Sequence, residues 1–169
     1  MATKWEVLPI PDVDLINSMS ANLNITKLLS VLLLTRNIGV SDAYDFLNKS
    51  DSAIVSPYEF QDMEKAVNSI FSHIDKGNKI TVFGDYDADG ITATALLVKV
   101  LKRIGANVDY YVPQRDVEGY GVSKLSIDAI ADKGTKLIVT VDCGITAVAE
   151  CLYATIKGIE MIITDHHEC

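Results

Sequence analysis

In the stretch VFGDYDADGITATALL, Asp85, Asp87 and Asp89 stand on alternate positions and Gly90 follows them. Carboxylates this close repel one another, so their placement asks for something that offsets the charge. Two further groups could join them: Asp142 in LIVTVDCGIT, and Asp165, His166 and His167 in IITDHHEC. Hard carboxylate oxygens with one or two imidazoles suit manganese or magnesium better than a structural zinc. Two divalent cations roughly 3.5–4 Å apart can share a bridging carboxylate, activate a water and steady the charge on a phosphate under in-line attack. The cations would offset the repulsion among the three aspartates, and Gly84 and Gly90 are expected to let the backbone turn sharply around them.

These groups can cooperate only if the fold brings them together. From Lys79 onward, strand and helix signals alternate. KITVFG, NVDYYVP, KLIVTV and EMIIT read as strands. Between them ITATALLVKVLKRIG, SKLSIDAIADKG and ITAVAECLYATIKG read as helices, each closing on a glycine as a left-handed C-cap requires. The strands are short continuous apolar runs, as expected where helices cover both faces. The pattern predicts a doubly wound parallel α/β sheet, whose ligands bind outside the carboxyl ends of the strands. All three acidic groups fall on that edge. Residues 1–78 read as a small helical region, with helices in LNITKLLSVLLLTRNI, in SDAYDFLN (Ser41 as its N-cap) and in QDMEKAVNSIFSHIDKG. The turn-rich KSDSAIVSPYEF, broken by Pro57, lies between the last two. The division is therefore 1–78 and 79–169.

Other readings of the acids are weaker. A lone Asp after a strand is most often a helix N-cap or a turn residue, and Asp142 alone would be read so. D-x-D-x-D-G also opens a calcium-binding EF-hand loop, but the twelfth position is Leu96 where a bidentate Glu belongs, and a strand precedes the motif. The D-x-D of aspartyl-phosphate phosphatases gives the two histidines no role. Adjacent histidines at a strand end are expected to project in different directions, one toward cations and one toward a phosphate.

Bulk properties bound the class. Hydrophobic residues make up 49% and charged residues 22% of the 169, a packed globular composition. The longest apolar run, LLSVLLL, is far short of the roughly 20 residues of a membrane span, and the first residues lack the basic and apolar regions of a secretory signal. Three cysteines without a C-x-x-C pair fit a reducing cytoplasm. The net charge of −8 opposes binding to a polyanion. If Asp85, Asp87, Asp89, Asp142 and Asp165 surround cations, −3 remains, and nucleic acid stays open as a partner.

Together VFGDYDADGITATALL, VPQRDVEGYG, LIVTVDCGIT and IITDHHEC resemble the DHH phosphoesterase superfamily, named after its Asp-His-His triplet. Most members carry a His where this chain has Phe83. GDYDADG is instead the form found in the branch of single-strand-specific 5′→3′ DNA exonucleases of bacterial repair and recombination. KWEV, LLLTRNIGVSDAYDFLN and DMEKAVNSI resemble the helical lead-in of that branch, so the likeness covers nearly the whole chain. It implies two divalent cations, manganese preferred or magnesium, held by Asp87, Asp89, Asp142 and His166, with Asp142 as the bridge. Asp85 would be a ligand or a partner behind the ligands, and Asp165 would orient the histidines. Asp142, His166 and His167 form the implied catalytic set. His167 would face the scissile phosphate, and Arg115 would hold a phosphate through its forked guanidinium, although the bare sequence equally allows a surface loop arginine. The implied partner is single-stranded DNA, with a helicase or a single-strand-binding protein as further candidates and no membrane. The family continues beyond the triplet into another metal-binding Asp and a second domain, so residues 1–169 are expected to be an N-terminal piece, weak or inactive alone. A retired site kept for nucleotide or scaffold binding is the alternative. The intact carboxylates and histidines favour the enzyme.

Overall fold

A computed structural model describes residues 8–48 and 54–168, and of Arg115 and Val117 the backbone only. The opening KWEV, residues 49–53 of the turn-rich stretch, Cys169 and the side chain of Arg115 lie outside the described residues. The chain forms two compact units, Met1–Glu59 and Phe60–Cys169. The sequence reading divides the chain after residue 78, whereas the helix before that point belongs with the sheet.

The second unit is built on four parallel strands: β1 (Lys79–Gly84), β2 (Val108–Tyr111), β3 (Thr135–Val141) and β4 (Glu160–Ile162), in the order β2-β1-β3-β4. β1 pairs with β2 (Ile80 opposite Val108) and with β3 (Val82 opposite Val139), and β3 pairs with β4 (Ile138 opposite Met161). The strands are apolar on both faces because both faces are covered. Ile80, Val82, Leu137 and Val139 pack against Val98 and Leu101 of helix α5 (Ala88–Arg103) and Ile70 and Ile74 of α4 (Met63–Asp75). On the other face Phe83 and Ile138 pack against Ile127 and Ile130 of α7 (Lys124–Asp132) and Ala154 of α8 (Val148–Ile156). Ile127 and Ile130 are fully buried, and each such side chain contributes about 1.5–3 kcal/mol through apolar burial. The expected doubly wound α/β sheet is the observed fold.

The helix ends follow the glycines. At Gly105 (φ 87°) the amide donates to the Lys102 carbonyl and that of Ala106 to the Leu101 carbonyl, the paired bonds of a Schellman motif. Three local expectations change. α5 begins at Ala88, before the ITATALL run. The first four residues of RDVEGYG form a short helix, α6 (Arg115–Glu118), where a loop is expected. α8 starts only at Val148.

The first unit holds α1 (Val13–Leu23), α2 (Lys27–Leu34) and α3 (Val40–Asn48) around Met19, Leu33 and Ala43. α1 is absent from the sequence reading. Asp12 caps it, accepting from the amides of Asp14 (2.8 Å) and Leu15 (3.2 Å). Ser41 lies inside α3 rather than at its N-cap, and its hydroxyl bonds the Asp42 carboxylate at 3.0 Å.

Candidate metal centre

The first group sits where β1 runs into α5. Asp85 is 3% exposed, and its Oδ1 accepts from the Tyr86 amide at 2.8 Å. Burial raises its pKa above the ordinary carboxylate value. The Tyr86 amide bond opposes that rise, and the charges of Asp87 and Asp142 add to it. Asp87 is the N-cap of α5, its Oδ1 accepting from the amides of Asp89 (3.0 Å) and Gly90 (2.9 Å). The cap engages one oxygen of the two. Asp89 lies exposed in the first turn of the helix.

Gly84 and Gly90 are needed for a different reason from the one the sequence suggests. Neither adopts a left-handed φ. A Cβ on Gly90 would lie 2.5 Å from the Asp85 carbonyl oxygen, and one on Gly84 would fall onto Thr94 Oγ1. The strand end and the helix start pass too closely for any side chain, and this contact fixes Asp85 and Asp87 relative to each other.

The second and third groups meet because β3 and β4 stay paired beyond their regular ends. The Thr164 amide and hydroxyl both donate to the Thr140 carbonyl (3.3 and 2.6 Å), and the Asp142 amide donates to the Thr164 carbonyl at 3.0 Å. Asp142 is left-handed at φ 63°, a conformation Asp tolerates better than most residues. Its side chain is 7% exposed, and Oδ1 lies 2.9 Å from His166 Nε2.

Asp165 is the anchor of the triplet. Its Oδ2 accepts from the Ile145 amide at 2.9 Å. Its Oδ1 accepts from the amides of His166 (2.8 Å) and His167 (3.1 Å) and faces His167 Nδ1 at 2.7 Å. Burial would raise its pKa, but the bonds from Ile145, His167 and His166 outweigh it and hold the value at about 2. The hydrogen bond to Asp165 in turn raises the pKa of His167, with the charges of Asp165, Asp142 and Asp85 adding to it against partial burial. The two imidazoles lie side by side, centroids 4.5 Å apart and planes tilted by 33°, rather than on opposite sides. β4 ends at Ile162, so strand alternation no longer applies at 166 and 167, and the Asp165 carboxylate sets their course.

Ligand atoms of Asp142, His166 and His167 all lie within 4.8 Å of one another. Asp89, Asp142, Asp165 and His166 line one open depression with Ala93, Val141 and Thr164. Asp85 borders this group, since its charge acts on His167 and that of Asp142 acts on it. A divalent cation fits this donor set: Asp85, pushed toward neutrality by burial and by two like charges, is an acid that an adjacent cation would hold ionised. Arg115 begins α6 beyond β2, on a turn closed by Glu118, which accepts from the Gln114 amide (3.1 Å) and the Tyr111 hydroxyl (2.7 Å). Burial and Glu118 push the Tyr111 hydroxyl up to about 12.

Sequence reasoning passes over Tyr120. Its ring meets His167 edge-on (6.1 Å, 83°) and Tyr86 likewise (6.5 Å, 86°), and its hydroxyl is 3.4 Å from His167 Nδ1. The glycines on either side of it are the one local signal that could have drawn attention to it. Cys143 lies buried behind Asp142, and burial with the nearby carboxylates of Asp85, Asp165 and Asp142 raises its thiol to about 12.

The fold and site define a doubly wound α/β domain that gathers acids and imidazoles at the carboxyl ends of parallel strands. The chain belongs to the DHH family, whose N-terminal domain matches residues 79–169. Among its relatives, the single-stranded-DNA-specific exonuclease RecJ of Bacillus subtilis (strain 168) is 40% identical over 166 residues, 98% of this chain and 21% of the relative. RecJ of Escherichia coli (strain K12) is 41% identical over 130 residues, 76% and 22% respectively. The crystal structure of RecJ from Thermus thermophilus in complex with Mn2+ superposes with a TM-score of 0.70 at 28% identity, covering 98% of this chain and 23% of that one. A second crystal structure, exonuclease RecJ bound to manganese, gives 0.58 at 42% identity over 62% of this chain and 27% of that one. The chain thus spans about a fifth of the length of the curated relatives it matches.

Proposed function

We propose that this chain is the N-terminal piece of a metal-dependent phosphodiesterase, a 5′→3′ exonuclease acting on single-stranded DNA in repair and recombination. The observation that carries the reading is the convergence of Asp85, Asp87 and Asp89, Asp142, and His166 and His167 from three strand ends onto one edge. In this reading the family boundary at residue 79 marks the start of the phosphoesterase domain, with residues 1–78 as its lead-in. The work would be done in the cytoplasm, alongside a helicase or a single-strand-binding protein.

Asp85, Asp87, Asp89, Asp142 and His166 would hold two divalent cations, manganese in preference to magnesium. When bound, such cations make a water nucleophilic at neutral pH and neutralise charge on the phosphate. The chain's own residues do the rest. Asp142 Oδ1 and His166 Nε2 lie 2.9 Å apart, close enough to share one cation. Asp165 fixes the Nδ1 proton of His167, leaving Nε2 to face the substrate, and its charge favours the imidazolium that would meet a phosphate oxygen. Arg115 would clamp a phosphate through two parallel hydrogen bonds.

The test pairs manganese calorimetry on the 169-residue chain with degradation of a 5′-labelled single strand by the chain and by its longer parent. Manganese should bind, Asp142→Ala should abolish binding, and the parent should degrade the strand far faster than the chain does. Manganese binding without strand degradation by the parent would instead favour a retired binding module.

A further inference from the structure

We propose that Tyr120 is the base-stacking residue of this site, the platform on which an unpaired nucleobase rests beside the phosphate being cut. The inference deepens the function proposed above and rests on it. Gly119 and Gly121 flank Tyr120 at φ 79° and 78°, and a Cβ on either would meet nothing within 4 Å. These glycines are therefore required by the backbone path and not by crowding, and that path carries the tyrosine to the strand ends. There its ring stands at 83° to His167 and 86° to Tyr86, with centroids 6.1 and 6.5 Å away. Edge contacts of this kind fix a ring's orientation, and Tyr120 nonetheless remains 55% exposed. A core tyrosine would be buried. One held by its neighbours and open to solvent, with its hydroxyl 3.4 Å from an imidazole of the cation site, offers a flat aromatic surface to whatever follows the phosphate. In a nucleic acid the phosphate is joined through its sugar to a base. Every base has a π-face, so stacking tolerates any sequence, but a base inside a duplex has both faces covered. The platform thereby favours unpaired strands over the interior of a duplex.

The test uses short 5′-phosphorylated thymidylate strands, phosphorothioate-linked to resist cutting, against the same strands with an abasic 5′-terminal residue. Affinity is read by anisotropy with manganese present. The wild-type chain should prefer the base-bearing strand by about 5- to 150-fold, as one stacked base provides. Tyr120→Ala should erase that preference by weakening only the base-bearing strand, Tyr120→Phe should keep it, and manganese affinity should be unchanged in both. Equal binding of the two strands by the wild-type chain would overturn the proposal and leave the phosphodiesterase reading standing. A Tyr120→Phe loss as large as that of Tyr120→Ala would also overturn it, because the hydroxyl would then act through His167. Manganese binding with no affinity for either strand would also overturn this inference, while the proposed function is judged separately by strand degradation by the longer parent.

Discussion

Asp165→Asn tests how the Asp-His-His turn is held. The carboxylate accepts from three backbone amides and one imidazole nitrogen, and its folded pKa of about 2 lies below the ordinary 3.8. The depressed value means that the folded state prefers the anion. The contribution is complete above pH 4 and is lost as the pH falls from there through 2. The size follows from the gap between the two values, about 2 kcal/mol. Asparagine keeps the shape but has one accepting oxygen, and its amide nitrogen would face a donor, Ile145 N–H or His167 Nδ1–H. Urea unfolding followed with the metal chelated, from pH 7 to pH 2, should show the variant less stable at pH 7 by about 2 kcal/mol, a midpoint shift of about 1 M. The difference should narrow below pH 4 and nearly vanish at pH 2, where the wild-type carboxyl is itself half protonated. A difference that stays constant with pH, or no difference at pH 7, would refute the argument that these donors stabilise the anion.

Gly90→Ala should destabilise the sheet unit by about 1–3 kcal/mol, because the new methyl meets the Asp85 backbone rather than a movable side chain. Thermal unfolding measures the loss, and calorimetry should show weaker manganese binding as Asp85 and Asp87 move apart. Cys143, buried and raised to about 12, should resist a disulfide reagent in the folded chain while half-buried Cys151 reacts before it, as peptide mapping by mass spectrometry would show.

The sheet was legible because its strands are short apolar runs that only a doubly covered sheet can use, and because each of the first three is followed by a glycine-capped helix. The acidic edge was legible for the same local reason: Asp85, Asp142 and Asp165 each stand within three residues of a strand end. The contacts that tune the edge were not. α1 escaped because its C-cap is Asn24 in a left-handed conformation instead of a glycine. The partner of Tyr120 lies 47 residues further along the chain, and no periodicity records such a pairing. The need for Gly84 and Gly90 lies in the distance between a strand and a helix, which sequence spacing cannot express.

The repulsion among the carboxylates is where the two levels differ most. From sequence alone, cations are the evident means of tolerating Asp85, Asp87 and Asp89. In the fold, partners within the chain already engage most of these acids. Asp85 bonds the Tyr86 amide, and Asp87 bonds two amides at the N-terminus of α5. Asp89 stands in solvent in the first turn of that helix, where the positive end of the helix dipole favours an acid. Asp142 faces His166, and Asp165 has four donors. What these donors leave uncompensated is concentrated at Asp85, whose pKa stays raised despite its amide bond. The cations are therefore not needed to let the three aspartates coexist. Their expected place is beside Asp85 and Asp142, where the protein has buried carboxylate charge and supplied the fewest donors for it.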